Sequence, residues 1–529
     1  MGATANIRDH GNQPGNLNRD DRSTRSNGHR LSAPWHLVVL VTTALATLFS
    51  RFLHPNSIGF YEDDFFYYVQ VARNLALHGI SSFDGTHLTN GYHPLWMLVL
   101  AGLFRAFSGT WFFVSVQALS LGLLLVFFSA TLRIFERLGL APANARLAAL
   151  LLSLHALLLF RYGMEVTLAL PLGMLMVAAI LAPGFRWSNG QTVACGLLAA
   201  LTVLGRLDSI LLVGLVFGPL LLDREGEWTG RVRRTALFLF GFTPFFVYLI
   251  LNRLWFGTLL PSSGHAKQLK PLLPPSLIPL SSLIQPPDRM KLIFVVPALF
   301  LLAYTLVRLP RCYGTLAPRR WLILSALTLF PVVHYALLCF VSDWQVWPWY
   351  FYSLTYSTLA GLALLLTPVP GESGAAWIPT GLKVACAVYV AYACVYSVER
   401  KAAPYVPLGE QIAVFSAQHP GLYAMGDGSG AIAYLSTRPF LQLEGLTTDP
   451  AYLRLVERRT PLAKVFALYG VRYYVVLAQS ASPFCGKLSE PNQAGPRSPH
   501  MPGQLCASPL ATYRSGDLYA VIYDAAQIH

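Results

Sequence analysis

The chain has 529 residues, 54% hydrophobic and only 12% charged, about half the charged fraction of a typical soluble domain. Several apolar runs reach the roughly 20 residues needed to cross a hydrocarbon core, which excludes an ordinary soluble enzyme and indicates a polytopic α-helical membrane protein. The net charge of +14 comes without a compact basic domain or an aromatic-basic motif, so it marks the loops between apolar runs and implies no nucleic-acid partner.

Residues 1–30 are polar, rich in Asn, Gly, Arg and Asp, and read as a disordered cytoplasmic tail. Trp35 to Phe52 is longer than a signal-peptide core and lacks a small-residue cleavage site, so it is taken as a retained first span. Arg8, Arg19, Arg22, Arg25 and Arg30 place the tail inside, and the acidic triplet Glu62-Asp63-Asp64 then emerges outside, within an aromatic run. Acids at a membrane boundary are costly unless they pair, bind an ion or do chemistry.

The outer loop 54–110 contains the short apolar stretch Pro94–Phe107, about 21 Å as a helix. If it crossed, the basic segment with Arg133, Arg137 and Arg146 would lie outside. It is therefore expected to be a juxtamembrane or re-entrant helix, with 111–132 making the crossing. Further basic loops hold Arg186, Arg224, Arg231, Arg233, Arg234, Arg308, Arg311, Arg319, Arg320 and Lys383. The run 191–222 has cytoplasmic charge at both ends and is expected to form a hairpin with Gly205-Arg206-Leu207-Asp208 at its outer tip. The transmembrane domain, residues 31–400, then has about eleven spans by this charge rule, with the C-terminus outside.

Residues 401–529 read as a small extracytoplasmic α/β domain. Strands are expected at 413–415, 422–425 and 473–477, with helices near 431–436 and 452–469. Gly426-Asp427-Gly428-Ser429-Gly430 has the spacing GxGxG and matches neither a dinucleotide fingerprint nor a P-loop. Cys485 and Cys506 could pair in an oxidising compartment. The other five cysteines lie in or beside apolar runs, where Cys behaves as a small hydrophobe, and no spacing suggests structural zinc.

Four polar constellations share the outer face with the triplet: Gly163-Met164-Glu165, Arg206-Leu207-Asp208, Ser262 to Lys267, and Ser342-Asp343-Trp344 with Trp347-Pro348-Trp349-Tyr350. Asp63-Asp64-Phe65-Phe66-Tyr67-Tyr68, Ala72-Arg73-Asn74-Leu75-Ala76 with His78-Gly79, and Thr89-Asn90-Gly91-Tyr92-His93-Pro94-Leu95-Trp96 follow one another after the first span. This loop resembles the first extracytoplasmic loop of GT-C superfamily glycosyltransferases, most closely their bacterial arabinofuranosyltransferase-like and mannosyltransferase-like branch. Gly163-Met164-Glu165, Arg206-Leu207-Asp208, Trp255-Phe256-Gly257-Thr258-Leu259-Leu260-Pro261 through Ala266-Lys267, and Gly426-Asp427 to Leu443-Glu444-Gly445-Leu446 are similar to that branch in the same order. Where its pattern has Asn-Thr, this chain has Ser262-Ser263.

The resemblance implies an integral plasma (inner) membrane enzyme. It would use a polyprenyl-phosphate sugar donor, transfer with inversion on the outer face, and act on a cell-envelope glycan, lipid or protein acceptor among membrane lipids. It leaves a divalent cation open and names no metal ligand. A carboxylate must take the acceptor hydroxyl's proton, and Asp63 is the expected base, with Asp64 orienting it or holding a cation. Arg206 and Lys267 are candidates for the lipid phosphate. Tyr92, His93, Glu165, Asp208 and His265 are candidates for substrate contacts. The competing readings are a transporter or flippase for a lipid-linked sugar, which would show internal repeats with matching broken helices, and an assembly protein built around the C-terminal region.

Overall fold

The computed structural model describes residues 35–54, 56–221, 228–285, 288–367, 377–399, 401–480 and 484–529. The expected N-terminal tail and Arg224 lie outside these residues. Helix α1 (Trp35–Phe49) leads through two short turns to α2 (Asp63–His78) and α3 (Pro94–Ala106). Then come α4 (Thr110–Leu138), α5 (Pro142–Phe160), α6 (Val166–Ile180), α7 (Asn189–Gly205) and α8 (Ile210–Leu221). Helices α9 (Trp228–Gly241) and α10 (Thr243–Phe256) meet at a 54° bend. After the short α11 (Ser262–Lys267) and α12 (Ile278–Ser281) follow α13 (Arg289–Arg308), α14 (Pro318–Val341), α15 (Tyr352–Leu366) and α16 (Ile378–Glu399).

Six of these helices are long and apolar enough to cross a membrane, or seven if the bent pair counts as one span. The α3, α6 and α7 helices and the stretch Leu207–Leu221 are apolar but shorter, as is α15 with 15 residues. By length alone the described helices thus fall below the expected count of about eleven. Helices α5 and α15 are buried along nearly their whole length, the pattern of central helices surrounded by others.

The C-terminal part opens with α17 (Tyr405–Gln418) and continues as β1 (Leu422–Met425), α18 (Ser429–Leu435), β2 (Phe440–Gln442), α19 (Pro450–Glu457), α20 (Leu462–Tyr469) and β3 (Val471–Ala478). A hairpin of β4 (Phe484–Glu490) and β5 (Met501–Ala507), then β6 (Ala511–Ser515) and β7 (Leu518–Asp524), complete it. Five strands form one sheet in the order β2-β1-β3-β7-β6, parallel around β1 and antiparallel from β3 onward. The strand expected at 413–415 is instead part of α17: Ile412 and Phe415 recur at helical spacing and are buried, while Val414 points outward at 67% exposure. Cys485 and Cys506 sit directly opposite each other on β4 and β5 and form a disulfide.

Candidate active site

Helix α2 begins at the acidic triplet. Glu62 occupies its N-cap, Asp63 and Asp64 its first turn, and Gly79 ends it in a left-handed conformation. Carboxylates are favourable at that end because unpaired N–H groups and the macrodipole are positive there. Successive residues on a helix diverge by about 100°, so Asp63 and Asp64 leave in different directions.

Asp63 is buried against the C-terminal part. Its Oδ2 accepts from Gly430 N–H at 3.0 Å and its Oδ1 from Ala431 N–H at 2.8 Å, at the start of α18. Gly430 is needed because a Cβ there would overlap the Asp63 carbonyl, and Gly428 is left-handed at φ +81°. The glycine-rich run therefore serves to dock α18 on α2. Burial pushes the Asp63 carboxyl up to about 7 despite the two amides.

Asp64 faces the other way and lines a pocket with Tyr67 and Tyr68 of the same helix. Its carboxylate accepts no hydrogen bond from any described residue. Burial pushes it up to about 8; Lys267 pulls it down, while Asp63, Asp427 and Glu165 push it further up. The remaining walls come from Gly91, Tyr92, His93 and Met97, from Met164 and Glu165, from Ser263 and Lys267, from Trp349 and Tyr350, and from Leu446 and Thr447 of the C-terminal part. The pocket is narrow, about 70 Å³.

The Thr89-Asn90-Gly91 motif holds these walls together. Asn90 Oδ1 accepts from Ser262 N–H at 2.9 Å, Ser262 Oγ donates to Leu446 C=O at 3.2 Å, and a Cβ at Gly91 would overlap that carbonyl. Lys267, at the end of α11, donates to Tyr350 OH at 3.0 Å and lies 5.2 Å from the Tyr350 ring centroid. It forms no ion pair among the described residues. Burial works against its charge, but Tyr350 and Asp64 together hold its pKa above the ordinary value.

On the opposite wall the charges are mutually satisfied. Gly163, left-handed at φ +71°, turns the chain so that Glu165 starts α6 with 1% exposure. Glu165 accepts from Arg206 Nη1 and from Tyr68 OH at 3.2 Å, and its Oε1 lies 3.7 Å from His93 Nε2. Arg206, in the break between α7 and α8, also pairs with Asp208 at 3.0 Å and lies between the rings of Tyr350 and Tyr352. Asp208 accepts from Tyr352 OH at 2.8 Å and pairs with His334 Nε2 at 3.0 Å. His93 Nδ1 accepts from Leu207 N–H at 3.1 Å, which leaves the proton of the neutral ring on Nε2. Burial lowers the His93 pKa and keeps the ring neutral.

Of the residues singled out from the sequence, Asp64, Tyr92, His93, Glu165 and Lys267 line the pocket. Asp63, Arg206 and Asp208 stand behind it, engaged elsewhere, and His265 does not line it. Sequence reasoning missed Tyr67, Tyr68, Ser263 and Thr447 as pocket residues. It also missed His334, although a histidine inside the apolar α14 was a signal. Nor do the residues present fit a divalent cation: Asp63 has both oxygens on amides, and among the described residues no group of three or more His, Cys, Asp or Glu is placed to hold one.

No protein-family model matches the chain, and no curated protein matches it. Among solved structures, ArnT from Cupriavidus metallidurans bound to undecaprenyl phosphate is similar at a TM-score of 0.55 and 14% identity, over 92% of this chain and 97% of that one. The apo form of the same ArnT is similar at 0.52, with the same identity and coverage. The arabinosyltransferase EmbB from Mycobacterium smegmatis overlaps at 0.39 and 15% identity, over 88% of this chain and 46% of EmbB, too low to argue from. Sheet, apolar helices and nearly full-length overlap agree: this integral membrane protein has the fold of ArnT.

Proposed function

We propose that the chain is an inverting glycosyltransferase that moves a sugar from a polyprenyl-phosphate donor to an acceptor hydroxyl, with Asp64 as general base. The observation that carries this reading is the meeting inside one pocket of a carboxylate with no hydrogen-bond partner and an ammonium with no ion-pair partner among the described residues. The acceptor hydroxyl gives its proton to Asp64 as its oxygen attacks the anomeric carbon from the face opposite the phosphate. The bond from that carbon to the phosphate oxygen breaks, and its electron pair leaves with the polyprenyl phosphate. Lys267, with Tyr350 OH beside it, offsets the developing phosphate charge. No proton is needed on the leaving group. His93 lines the same space with its Nε2 toward Glu165, and Arg206 holds Glu165 in place. The base role expected of Asp63 thus moves to Asp64, because Asp63 is committed to α18.

The reading places the pocket on the outer face of an eleven-span bundle. Counting α9 and α10 as one span, α6, α7, α8 and α15 as crossings and α3 as re-entrant, an even number of crossings separates every pair of pocket loops. If α3 crossed, Asp64 and Glu165 would lie on opposite sides, yet they share one pocket. The disulfide of β4 and β5 favours an oxidising compartment for that side. The test is transfer by the purified protein from a panel of prenyl-phosphate sugars. A correctly folded Asp64→Asn variant with full turnover would sink the assignment.

A further inference from the structure

A second cleft, about 630 Å³, lies between the helical bundle and the C-terminal part. Its lining is rich in amides and hydroxyls: Ser281, Ser282, Gln285, Gln345, Asn492 and Gln493, with Asp343 at its base and no lysine or arginine. The base is fixed by backbone pairing between the two parts. Trp344 forms a β-bridge with Ala494, Gly495 N–H donates to Asp343 C=O at 2.8 Å, and a Cβ at Gly495 would overlap Asp343. Asp343 is itself occupied, accepting from the Ser276 hydroxyl and from Arg497 N–H at 2.8 Å. By contrast, Gln285, Gln345 and Asn492 are exposed, and their side-chain amides make no hydrogen bond to described residues.

Two segments link this cleft to the reaction pocket. One, which places Gln345 in the cleft, continues within five residues to Trp349 and Tyr350 of the pocket, passing Trp347 at 42% exposure. In the other, Gln493 donates to Asp427 at 2.8 Å, and Asp427 stands close enough to Asp64 to act on its charge.

We infer that the cleft is the acceptor subsite for a neutral oligosaccharide, holding the units behind the hydroxyl that reaches Asp64. The inference rests on the transferase reading for its purpose but on the cleft's own chemistry for its ligand. The reaction pocket, about 70 Å³, is much smaller than this cleft, which has the room for an acceptor of several units. Amides and hydroxyls both donate and accept, as sugar hydroxyls do. An anionic headgroup would need a cation that the lining lacks, and the apolar stretches at Ile278 and Ala494 alternate with polar groups as the faces of a sugar ring do.

The experiment measures equilibrium binding of neutral manno-, arabino- and gluco-oligosaccharides of two to six units to the full-length protein in nanodiscs. It compares wild type with the double variant Gln285→Ala/Gln345→Ala. The expected result is binding that strengthens with chain length in one series and weakens at least tenfold in the double variant. Equal binding by wild type and the double variant overturns the subsite, as does binding of none of the sugars, or displacement by anionic phospholipid headgroups alone. The transferase reading fails separately, if wild type moves no sugar from any prenyl-phosphate donor while the oligosaccharide still binds.

Discussion

Two charged regions border the pocket, and they differ in how fully their groups are partnered. Around Arg206, the carboxylates of Glu165 and Asp208 share one guanidinium, and Tyr68, Tyr352 and His334 complete their hydrogen bonds. Around Asp64 and Lys267, the carboxylate has no hydrogen-bond partner among the described residues and the ammonium has one neutral hydroxyl. The first is mostly buried and the second half-buried, and both lie where the sequence motifs fall. The first holds three helix junctions in register, since buried charges stay only where they are paired. The second keeps its groups available, the state in which a base and a phosphate-binding cation must wait for substrate. Asp63 belongs with the first region although it adjoins Asp64 in sequence.

The sharpest way to break this contrast is Asp64→Asn, which preserves shape and removes the base. Transfer is expected to fall by about 10²–10⁴-fold, while the melting temperature of the detergent-solubilised protein holds or rises, because a carboxyl buried at a cost becomes a neutral amide. Arg206→Ala should do the reverse. It leaves Glu165 and Asp208 without their counter-charge, at a cost of about 3–5 kcal/mol, seen as a large drop in melting temperature. A variant as stable as wild type would show that this wall is not a scaffold.

Lys267→Met tests the second region from its other side. Losing a charged hydrogen bond to the donor phosphate costs about 1.5–3 kcal/mol, or roughly 10–100-fold in kcat/KM for the prenyl-phosphate sugar, with little change in melting temperature. A loss confined to stability would move Lys267 into the scaffold. Asp63→Asn, the same substitution one residue before Asp64, keeps one acceptor oxygen for two amides and should cost about 1 kcal/mol of stability, the net worth of one hydrogen bond. Folded protein should keep transferring. If Asp63→Asn abolished transfer without lowering the melting temperature, the roles of the two acids would be reversed.

Much of this arrangement was legible in the sequence, and the reasons for the rest are local. The order of the motifs, the α/β character of the C-terminal part and the short helix at Pro94 follow from hydropathy, charge and turn residues. The division of labour between Asp63 and Asp64 did not. The triplet reads as an irregular loop start because the aromatic run after it hides helical periodicity. The amides that claim Asp63 also come from residues 430 and 431, a contact no local pattern encodes. Gly430 carried a trace of it, since a glycine at the start of a helix hints at close approach by another backbone. Asp208 and Arg206 were read as facing substrate because His334 and Tyr352, which occupy them, lie in helices far along the chain. The Ala413–Phe415 trio was misread because three apolar residues in a row fit strand and helix alike.

The contrast also sets opposite pH dependences for activity and stability, the smallest of these effects per unit of pH. Asp64 must be ionised to act as base, and its pKa lies at about 8. The kcat/KM for transfer should therefore rise with pH to a plateau above that value. Stability should run the other way. Asp63 and Asp64 keep their protons in the folded protein up to about 7 and 8, whereas in the unfolded chain they lose them near 3.8. Between about pH 4 and 8 the folded state binds more protons than the unfolded state, so the contribution of these two acids to stability falls as pH rises. Lys267 lowers the Asp64 value by its charge, so Lys267→Met should shift the activity midpoint upward. Arg206 is paired with Glu165 and Asp208 and is not among the charges that act on Asp64, as Lys267 and Glu165 are; in Arg206 variants that still fold, the midpoint should stay in place. A midpoint that ignores Lys267 and follows Arg206 would place the base in the Arg206 network instead of at Asp64.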